Sequence, residues 1–577
     1  MTMSKKKVAR IVVEALENFG VKRCYGVVGD TLNQVTDAMR HHTDIEWVHM
    51  RHEEAGAFAA GAEAYMSDTL TACAGSCGPG SLHFINGLFE SHRNGSPVVL
   101  IASQLPTNVL QTNFPQEVDY MPIYRTCSVF CEQVNDAASA KRIVMSACQA
   151  ALSQRGVAVV ILPSDISAME VEDAPVLQTY QPKKPVIHPQ ESELMAMAEI
   201  LNSGQRVGIY AGAGCEGAHD EIIALCEKLK APMAHTSRAK DFVEWDNPYN
   251  VGMTGMLGVE SGYRMMEHCD TLLILGADFA WSQFYPKDAK IIQVDINPQQ
   301  LGLRHPITMG VIGNTIDTVR ALLPHLNTKV NTEFLDTYTE MHKKCTAELN
   351  KKAVAGSEDL IHPQYLVELL SKYAKDDCLI AGDCGSAMAW ILRHFHTNGQ
   401  RRTMLSMKHG TMANAMPQAI GLQKAFPNRQ VISLSGDGGL TMLMGDLLTI
   451  VQEKLPIKIA ILNNGALDFV ELEMKAEGIV NSYTDLHNPD FAKLADAVGM
   501  QGYSVKGSHE LEDAVKAFLE HDGPAILDVH TSRLELLWPP HTEPENYTNM
   551  ALYGAKAILG GQGKDFVDML KDNFLKK

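Results

Sequence analysis

The sequence predicts an α/β protein made of three doubly wound domains, each with a parallel sheet. The chain has 577 residues, enough for roughly three domains of about 100–200 residues each. Short apolar runs alternate with amphipathic stretches almost throughout, which is the pattern of buried parallel strands connected by helices. Length and alternation together predict this fold class.

The first predicted domain covers residues 1–182. Its apolar runs are separated by helical stretches such as 54–66, and a proline-containing linker, 181–189, follows. The predicted strands are residues 23–28, 45–49, 71–74, 97–102 and 157–162.

The middle domain is predicted at residues 190–345, the third at 357–535, and a C-terminal tail at 540–577. A glycine-rich segment, 211–217, follows the first strand of the middle domain. By itself it is a weak indication of a nucleotide site, because any close helix–strand packing can produce it. The predicted strands of the two domains are residues 207–210, 271–275, 290–294, 378–381, 430–434, 458–462 and 525–529.

Composition argues against several classes of protein. The net charge of -18 would repel a phosphate backbone, so we expect no nucleic-acid partner. No apolar run reaches the roughly 18 residues of a membrane-spanning helix, and the basic N-terminus is interpreted as an amphipathic helix rather than a signal peptide. The 12 cysteines are scattered, which favours reduced thiols in a cytoplasmic enzyme over zinc sites.

The most informative segment follows the predicted strand 430–434 and contains Gly436, Asp437, Gly438 and Gly439. After Gly438 come 24 residues, 439–462, and then an Asn-Asn pair. Both elements lie just past predicted strand ends, the edge at which open parallel sheets bind ligands. An isolated Gly-Asp-Gly is equally consistent with a tight turn, but the strand before it, the helix after it and the second strand ending in Asn-Asn favour a ligand site.

These residue types suit a diphosphate held by a metal ion. Glycines let backbone N–H groups approach the phosphates, and a helix N-terminus adds a favourable dipole. Magnesium prefers hard oxygen ligands in an octahedron. Asp437 can supply a carboxylate, Asn464 an amide oxygen and Ala466 a backbone carbonyl.

The spacing resembles the signature of thiamine-diphosphate (ThDP) enzymes. The similarity extends over essentially the whole chain and is greatest to the pyruvate oxidase group, which includes the quinone-dependent pyruvate dehydrogenases. Its matching blocks are residues 51–54, 73–80, 409–417 and the Gly-Asp-Gly segment. The resemblance implies a pyrimidine-binding first domain, an FAD-binding middle domain and a diphosphate-binding third domain, with ThDP, Mg²⁺ and FAD as cofactors.

The resemblance also implies roles for individual residues. Glu53 would hydrogen-bond the aminopyrimidine and so promote loss of the thiazolium C2 proton. Taken alone, it would sooner be interpreted as a surface or N-cap carboxylate of the helix 54–66, but the diphosphate motif and the matching flanks reverse that preference. The carbonyl of Gly410 would accept a hydrogen bond from the 4′-amine, and Met412 would support the bent cofactor. The implied cofactor-binding positions of the third domain are Gly410, Thr411, Met412, Gly436, Gly438 and Gly439.

The predicted substrate pocket is formed by the segment after the Asn pair. Phe469 matches an active-site aromatic and Glu473 a nearby acid, with helix core and helix surface as their alternative interpretations. A small, mostly apolar pocket suits pyruvate. Four departures from the quinone-dependent pattern bear on the exact substrate and on the rate of electron transfer: Cys384, Pro115, Asp468 and Glu471.

Two segments and one strand end of the middle domain match FAD-contacting positions of the pyruvate oxidases. Asp295 is predicted to bind a ribose hydroxyl. Acetolactate synthases keep a flavin that does no net redox work, so the match predicts FAD binding more directly than FAD turnover. The residues are Thr254, Gly255, Met256, Leu257, Ala277, Asp278, Phe279, Ala280, Trp281 and Asp295.

The resemblance implies that Glu53 and Asp437 meet across a subunit interface, so we expect at least a homodimer and, by analogy, a homotetramer. In the tail, 564–577, one helical face is apolar, which suits a lipid surface and a membrane quinone; a helix docked on its own subunit is the alternative. The predicted location is cytoplasmic, peripheral at the inner face of the cell membrane. The apolar face consists of Phe566, Val567, Met569, Leu570 and Phe574.

The expected activity is oxidation of pyruvate to acetate and CO₂, with electrons passing through FAD to ubiquinone or another quinone. Two alternatives keep the ThDP chemistry: an acetolactate synthase-like carboligase and a phosphate-dependent pyruvate oxidase. A third, from another class, is a non-catalytic nucleotide-binding scaffold, which the presence of Glu53, Asp437 and Asn464 disfavours.

Overall fold

A computed structural model describes residues 5–173, 183–356, 360–537, 539–540, 544–559, 566, 567, 569 and 573. The described residues form three parallel sheets of six strands, within residues 23–163, 207–312 and 379–530, and one short antiparallel pair. The predicted fold class is therefore confirmed. The domain boundaries at 1–182, 190–345, 357–535 and 540–577 stay predictions.

The described part of the first domain contains eight strands, two of which form the antiparallel pair. The strands are β1 (Lys5–Lys7), β2 (Arg23–Val27), β3 (Glu46–His49), β4 (Thr71–Gly75), β5 (Val98–Gln104), β6 (Phe130–Gln133), β7 (Val157–Pro163) and β8 (Glu170–Glu172). The helices are α1 (Val8–Asn18), α2 (Asn33–His42), α3 (Glu53–Ser67), α4 (Pro79–Leu82), α5 (Ile85–Asn94), α6 (Tyr120–Tyr124), α7 (Ala140–Gln154) and α8 (Ser164–Ala168).

The middle domain surrounds the second sheet. Its strands are β9 (Val207–Ala211), β10 (Met233–His235), β11 (Asn250–Met253), β12 (Thr271–Leu275), β13 (Lys290–Asp295) and β14 (Met309–Ile312). Its helices are α9 (Glu191–Ser203), α10 (His219–Leu229), α11 (Lys240–Val243), α12 (Glu260–His268), α13 (Thr315–Leu322) and α14 (Glu333–Leu349).

The third domain surrounds the last sheet and is followed by a tail helix. The strands are β15 (Leu379–Gly382), β16 (Arg402–Leu405), β17 (Val431–Gly436), β18 (Lys458–Asn463), β19 (Gln501–Val505) and β20 (Ala525–His530). The helices are α15 (Pro363–Tyr373), α16 (Ser386–His394), α17 (Ala415–Ala425), α18 (Asp437–Met442), α19 (Leu447–Gln452), α20 (Asp468–Ala476), α21 (Phe491–Val498), α22 (Leu511–Glu520) and, in the tail, α23 (Pro544–Leu559).

Short 3₁₀ helices connect some of these elements. They are Asp30–Leu32, Thr107–Val109, Arg125–Cys127, Ala137–Ser139, Ala213–Cys215, Ser237–Ala239, Ser282–Phe284, Pro298–Gln300, Leu323–His325, Asn350–Lys352 and Met444–Asp446.

The first and third sheets have the same strand order, and the middle sheet differs. The orders β3-β2-β4-β5-β7-β6 and β16-β15-β17-β18-β20-β19 coincide when strands are counted within each sheet. The middle sheet runs β11-β10-β9-β12-β13-β14, the 3-2-1-4-5-6 order of dinucleotide-binding folds. In both topologies the crevice at the carboxyl ends of the strands is where ligands bind.

One apolar core joins the first and third domains. Helices α3 and α17 pack against each other at its centre, and small side chains allow the close approach: a Cβ on Gly421 would lie 2.0 Å from the carbonyl oxygen of Ala59. Since Glu53 begins α3 and the segment 406–412 leads into α17, this packing fixes both segments relative to each other.

Candidate active site

Asp437 lies at the N-terminus of α18, immediately after β17, and is 2% exposed. Its Oδ1 accepts the N–H of Gly438 at 2.8 Å, and its Oδ2 accepts the N–H of Gly465 and the Nδ2 of Asn488, both at 2.7 Å. Burial raises the pKa of Asp437 above its ordinary value, and the N–H donors offset only part of that rise. The carboxylate is thus held in one orientation at the carboxyl edge of the sheet.

The other two predicted metal ligands lie beside this carboxylate. Gly465, which donates to Asp437, stands between Asn464 and Ala466 in the chain, so this hydrogen bond brings the three together. The Oδ1 of Asn464 accepts the N–H of Ala466 at 3.0 Å. Among the described residues no three His, Cys, Asp or Glu side chains cluster as a metal site. A metal here would bind mixed oxygens, and carboxylate, amide and carbonyl oxygens suit Mg²⁺.

The glycines around Asp437 differ in how much room they would leave for a side chain. A Cβ on Gly436 would meet nothing within 4 Å, whereas one on Gly439 would lie 2.3 Å from the Oδ2 of Asp383. A Cβ on Gly438 would lie 3.6 Å from the Cε of Met412 and 2.8 Å from the Cδ2 of Leu467. The backbone at Gly436 therefore faces open space, whereas Gly438 and Gly439 are buried where a side chain would not fit.

The segment 406–412 has a defined conformation. Gly410 has a φ of +72° and Ala413 a φ of +66°, the left-handed region that costs a non-glycine residue energy. The Oγ of Ser406 accepts the N–H groups of Gly410 and Thr411, both at 3.0 Å. We call residues 406–412 the cofactor loop, because the sequence predicts that Gly410, Thr411 and Met412 contact ThDP.

Phe469 and Glu473 both lie on α20, which follows the Asn pair. Phe469 is half-buried and lies beside Gly385: a Cβ added to Gly385 would be 4.0 Å from the Cβ of Phe469. Glu473 is exposed; partial burial of its carboxyl group and the neighbouring Glu477 raise its pKa. Phe469 thus borders the candidate site, and Glu473 lies at its solvent side.

Cys384, Asp468 and Glu471, three of the four residues that depart from the quinone-dependent pattern, lie on or near α20. The Sγ of Cys384 is 3.9 Å from the position of a Cβ on Gly410, and burial raises the pKa of Cys384 to about 11. Burial raises the pKa of Asp468 to about 7. Pro115 is exposed and lies between Phe114 and Gln116 in the chain.

The fourth departure, Glu471, is fully buried and paired. It accepts hydrogen bonds from Thr484 at 2.7 Å and from Arg533, and it forms an ion pair with Lys475 at 3.4 Å. Arg533 also pairs with Asp485 at 2.7 Å. The glutamate therefore fastens α20 to the segment after β20 instead of lining the pocket with charge.

Glu53 is the first residue of α3 and is 8% exposed. Its Oε2 lies 2.9 Å from the Nδ1 of His83, and the rings of His52 and His83 stack with centroids 4.6 Å apart. The side chain of His52, not that of Glu53, caps the helix by accepting the N–H of Glu54. The surface and N-cap interpretations of Glu53 do not describe this buried carboxylate.

Glu53 and Asp437 each make their hydrogen bonds within their own domain. Glu53 pairs with His83 of the first domain, and Asp437 with residues 438, 465 and 488 of the third. The predicted meeting of the two carboxylates across a subunit interface stays a prediction.

The predicted flavin residues lie at the carboxyl ends of β11, β12 and β13. A Cβ on Gly255, whose φ is +98°, would lie 3.0 Å from the ring of Phe279 and 4.0 Å from that of Trp281. The two predicted segments, 254–257 and 277–281, are thus in contact, and Asp295 ends the neighbouring strand. Met256 and Trp281 are each 42% exposed, and Ala277 is buried. Ala280 is also exposed and lies between Phe279 and Trp281.

The chemistry of this edge suits a nucleotide cofactor. The Oγ1 of Thr254 is buried without a hydrogen-bond partner among the described residues. A Cβ on Gly212 would lie 2.1 Å from the carbonyl oxygen of Gly276, so the strand ends approach each other as closely as backbones can. Burial raises the pKa of Asp295. The backbone approach and the unpaired hydroxyl both fit a dinucleotide at this switch point.

The third domain supports the flavin segments directly. Arg393 of α16 donates to the carbonyls of Leu257 and Gly258 at 3.1 and 3.2 Å. Asp278 pairs with Lys408 at 3.1 Å and with Arg304 at 3.2 Å; although burial opposes it, these cations lower the pKa of Asp278. The predicted flavin site therefore adjoins the cofactor loop, to which Lys408 belongs.

The described tail residues pack on their own chain. Tyr553, Ala557 and Met569 are buried against α20 and residues 534–536, and Phe566 lies against Tyr553. Asn573 donates to the carbonyl of Leu534 at 2.7 Å. Leu570 and Phe574 lie outside the described residues. No helix in the described part of the chain has the length and apolarity to cross a bilayer.

Some site residues were missed from the sequence. Asn488 donates to Asp437, and His83 contacts Glu53, yet neither follows a strand end or belongs to the Gly-Asp-Gly pattern. Asn86 of α5 donates to Thr411 at 3.0 Å and bonds His409 at 2.8 Å. Packing of the first domain on the third brings Asn86 to the site, whereas Asn488 and His83 reach their partners through packing within one domain.

Comparison with known proteins agrees with this geometry. Three family models match: thiamine pyrophosphate enzyme N-terminal TPP binding domain at residues 6–123, central domain at 194–322, and C-terminal TPP binding domain at 383–529. The putative thiamine pyrophosphate-containing protein YdaP of Bacillus subtilis is 32% identical over 91% of this chain and 92% of its own length.

Two further relatives have named activities. The pyruvate oxidase of Lactiplantibacillus plantarum is 28% identical over 90% of this chain and 87% of its own. The acetolactate synthase isozyme 2 large subunit of Escherichia coli is 29% identical over 92% of this chain and 96% of its own. With three matching domain models and this coverage, the chain belongs to the thiamine pyrophosphate enzyme family.

Proposed function

We propose that this enzyme oxidatively decarboxylates pyruvate to acetate and CO₂ with ThDP, Mg²⁺ and FAD, and passes the electrons to a membrane quinone. The observation that carries the proposal is the 3.1 Å ion pair between Lys408 and Asp278. It joins the cofactor loop to the predicted flavin segment 277–281, so the two cofactors would be neighbours.

When bound, ThDP supplies an electron sink for the carbanion left by loss of CO₂, and FAD accepts its electrons. Asp437, Asn464 and Ala466 would hold Mg²⁺ through three oxygens. Glu53 would hold a proton at the pyrimidine nitrogen through its carboxyl group. Phe469 would exclude water from one side of the pocket, which favours loss of carboxylate charge.

A visible spectrum followed by anaerobic addition of pyruvate tests the proposal. The purified protein should show a flavin absorption band, and pyruvate with ThDP and Mg²⁺ should bleach it while acetate and CO₂ appear. Absence of flavin, or a flavin that pyruvate never bleaches, would contradict the oxidative reaction.

A second candidate is an acetolactate synthase-like carboligase. The similarity to an acetolactate synthase large subunit, at 29% identity over 96% of that protein, favours it. Product analysis separates the candidates: a carboligase forms acetolactate and leaves the flavin oxidised, a phosphate-dependent oxidase forms acetyl phosphate, and the proposed enzyme forms free acetate without phosphate.

We also propose that the active unit is a homodimer or a homotetramer built from it, with Glu53 and Asp437 supplied by different subunits. Three apolar side chains in and between α18 and α19, directly after Asp437, support an interface there: Met442, Met444 and Leu448 are 62%, 41% and 43% exposed. Such a cluster on a soluble protein is typical of an association surface.

Mixing two inactive variants tests the shared site. Subunits carrying Glu53→Gln and subunits carrying Asp437→Asn are unfolded together, refolded and assayed. If each site uses both subunits, every mixed dimer regains one intact site, so about a quarter of wild-type activity returns. If both residues act within one chain, activity does not return.

The tail is proposed to associate with a lipid surface that holds the quinone. Val567 of its predicted apolar face is 44% exposed, whereas Met569 is buried on the same chain. Lipid binding would therefore require part of the tail to leave its docked position. Truncation after Tyr553 should abolish binding to anionic vesicles and raise basal activity; unchanged binding and activity would contradict this role.

A further inference from the structure

A buried polar junction joins the three domains next to the cofactor loop. Glu90 lies on α5 and is 1% exposed; its Oε2 accepts a hydrogen bond from the Oγ of Ser406 at 2.6 Å. Its Oε1 accepts one from the Nδ2 of Asn94, also on α5, at 2.5 Å. The Oδ1 of Asn94 in turn accepts a hydrogen bond from Arg238 of the middle domain.

The direction of each hydrogen bond in this junction is fixed by chemistry. A hydroxyl has two lone pairs and one proton. Both lone pairs of Ser406 are used by the N–H groups of Gly410 and Thr411, so its proton must go to Glu90.

The other end of the junction is equally constrained. A guanidinium only donates, so Asn94 must turn its carbonyl oxygen to Arg238 and its NH₂ group to Glu90. Both oxygens of Glu90 therefore face donors. Only an ionised carboxylate accepts at both positions; an amide or a protonated carboxyl would set a donor against a donor.

The same helix makes further contacts with the cofactor loop. Asn86, one turn before Glu90, donates to Thr411 at 3.0 Å and bonds His409 at 2.8 Å. Arg93 donates to the carbonyl of Lys408 at 3.2 Å. One face of α5 thus holds the loop at several points, and Glu90 is the buried charged member of that face.

We propose that Glu90 is a positioning residue for the predicted ThDP chemistry: through Ser406 it fixes the backbone of Gly410 and Thr411, and through Asn94 and Arg238 it ties that conformation to the middle domain. The role rests on the proposed function, because it matters for turnover only if the cofactor loop holds ThDP. A loop restrained before the cofactor binds loses less conformational freedom on binding.

Glu90→Gln tests this role, because the amide has nearly the same shape but cannot accept at both positions. The first measurement is hydrogen–deuterium exchange of residues 406–412 in the ThDP-free protein. The amides of Gly410 and Thr411 should exchange about tenfold faster, as expected for the loss of one well-formed hydrogen-bonded arrangement. Glu63→Gln is the matched control.

Glu63 suits the control because it is also a first-domain glutamate that is 1% exposed, and it is hydrogen-bonded by Arg23 and Tyr25. Its replacement should lower stability without changing exchange in residues 406–412. If both variants accelerate exchange there equally, Glu90 has no specific connection to the loop and the proposal is wrong.

Cofactor binding and turnover give the second measurement. Glu90→Gln should raise the dissociation constant of ThDP and lower kcat, with little change in the KM for pyruvate, because it disturbs the loop rather than the substrate pocket. Ser406→Ala should have the same effects, and combining the two changes should add little, since both break one link. Additive effects would contradict the link, and Ser406→Ala carries the test if Glu90→Gln fails to fold.

Failure of this inference is distinguishable from failure of the proposed function. If the wild-type protein binds no ThDP and consumes no pyruvate, the proposed function fails whatever the exchange data show. If ThDP binds and pyruvate is consumed, but exchange of Gly410 and Thr411 is unchanged in Glu90→Gln, the positioning role alone is overturned.

Discussion

The first and third domains have the same strand order but prepare their carboxylates differently. In each domain the carboxylate begins a helix that follows a parallel strand: Glu53 after β3 at the sheet edge, and Asp437 after β17 in the centre. Asp437 accepts hydrogen bonds from two backbone amides and one asparagine, whereas the carboxylate of Glu53 has only the ring of His83 as a hydrogen-bond partner among the described residues.

The difference fits two distinct tasks. A ligand for a divalent cation works best as an ionised, immobile acceptor, and several N–H donors provide that state. A carboxyl group that hydrogen-bonds a cofactor nitrogen needs an oxygen that is not already occupied by donors from the protein. Under the proposed function, one fold would thus provide a rigid metal ligand and a proton-handling acid according to the donors around each carboxylate.

Asp437→Asn should have the largest effect. In either orientation the amide places a donor against donors, the N–H of Gly438 at one oxygen position or the N–H of Gly465 and the Nδ2 of Asn488 at the other, and it removes the charge that faces the predicted metal site. Changes around metal ligands already cost about 10–100-fold in affinity, so loss of the ligand itself should weaken Mg²⁺-dependent ThDP binding more than about 100-fold. Calorimetric titration measures this, with the exposed Asp496→Asn as control; unchanged binding would contradict the metal site.

Glu53→Gln should separate binding from turnover. General acid–base groups contribute about 10²–10⁴-fold, so turnover of pyruvate should fall by that range while ThDP affinity stays near the wild-type value. Initial rates at saturating ThDP and a parallel titration provide both numbers. If turnover persists, or if binding and turnover fall together as in Asp437→Asn, the contrast between the two carboxylates is wrong.

Asn488→Ala should have an intermediate effect that excess metal reverses. Asn488 orients Asp437 without being a predicted ligand, and such supporting groups are worth about 10–100-fold in metal affinity. The Mg²⁺ concentration for half-maximal activity should rise by that factor, and turnover should recover at high Mg²⁺. A loss that no Mg²⁺ concentration restores would assign Asn488 a different role.

The sequence predicted the central strands well and the sheet edges poorly. Strands such as β12 and β18 appear as continuous apolar runs because helices cover both faces of the sheet there. The strands that were missed are β1, β6, β8, β10, β11, β14, β16 and β19, and all of them except β10 lie at sheet edges. Edge strands are only partly covered, so polar residues interrupt the apolar pattern.

Prediction of the site is limited by contacts between segments that are distant in the chain. Asp437, Asn464 and Ala466 are separated by a fixed spacing along two neighbouring strands, so their approach follows from the sheet. Glu90 and Asn488 reach their partners through packing between distant segments, for which one sequence carries no spacing signal. The burial of Glu471 in an ion-pair network was equally inaccessible, because its partner Arg533 lies 62 residues away.

The smallest expected effect concerns His394, the last residue of α16. His394 is completely buried with both ring nitrogens unpartnered among the described residues, and burial lowers its pKa to about 4. Between the ordinary pKa near 6.5 and this value, the unfolded chain binds a proton that the folded chain does not. Stability from this residue is therefore present above the ordinary pKa and is lost as pH falls through the window.

His394→Leu removes this linkage and the two unpaired nitrogens. At about 1.4 kcal/mol per pKa unit, the linkage amounts to roughly 3 kcal/mol at most, or several degrees in Tm. The variant should match or exceed the wild-type Tm at pH 7, keep its activity there, and lose less of its Tm between pH 6.5 and 4. Calorimetry at several pH values measures the difference, with the exposed His509→Leu as control. Parallel curves of Tm against pH for variant and wild type would contradict this prediction. They would mean that His394 binds its proton over the same pH range in the folded and the unfolded chain, so the core of the third domain would be more open to water than its packing indicates.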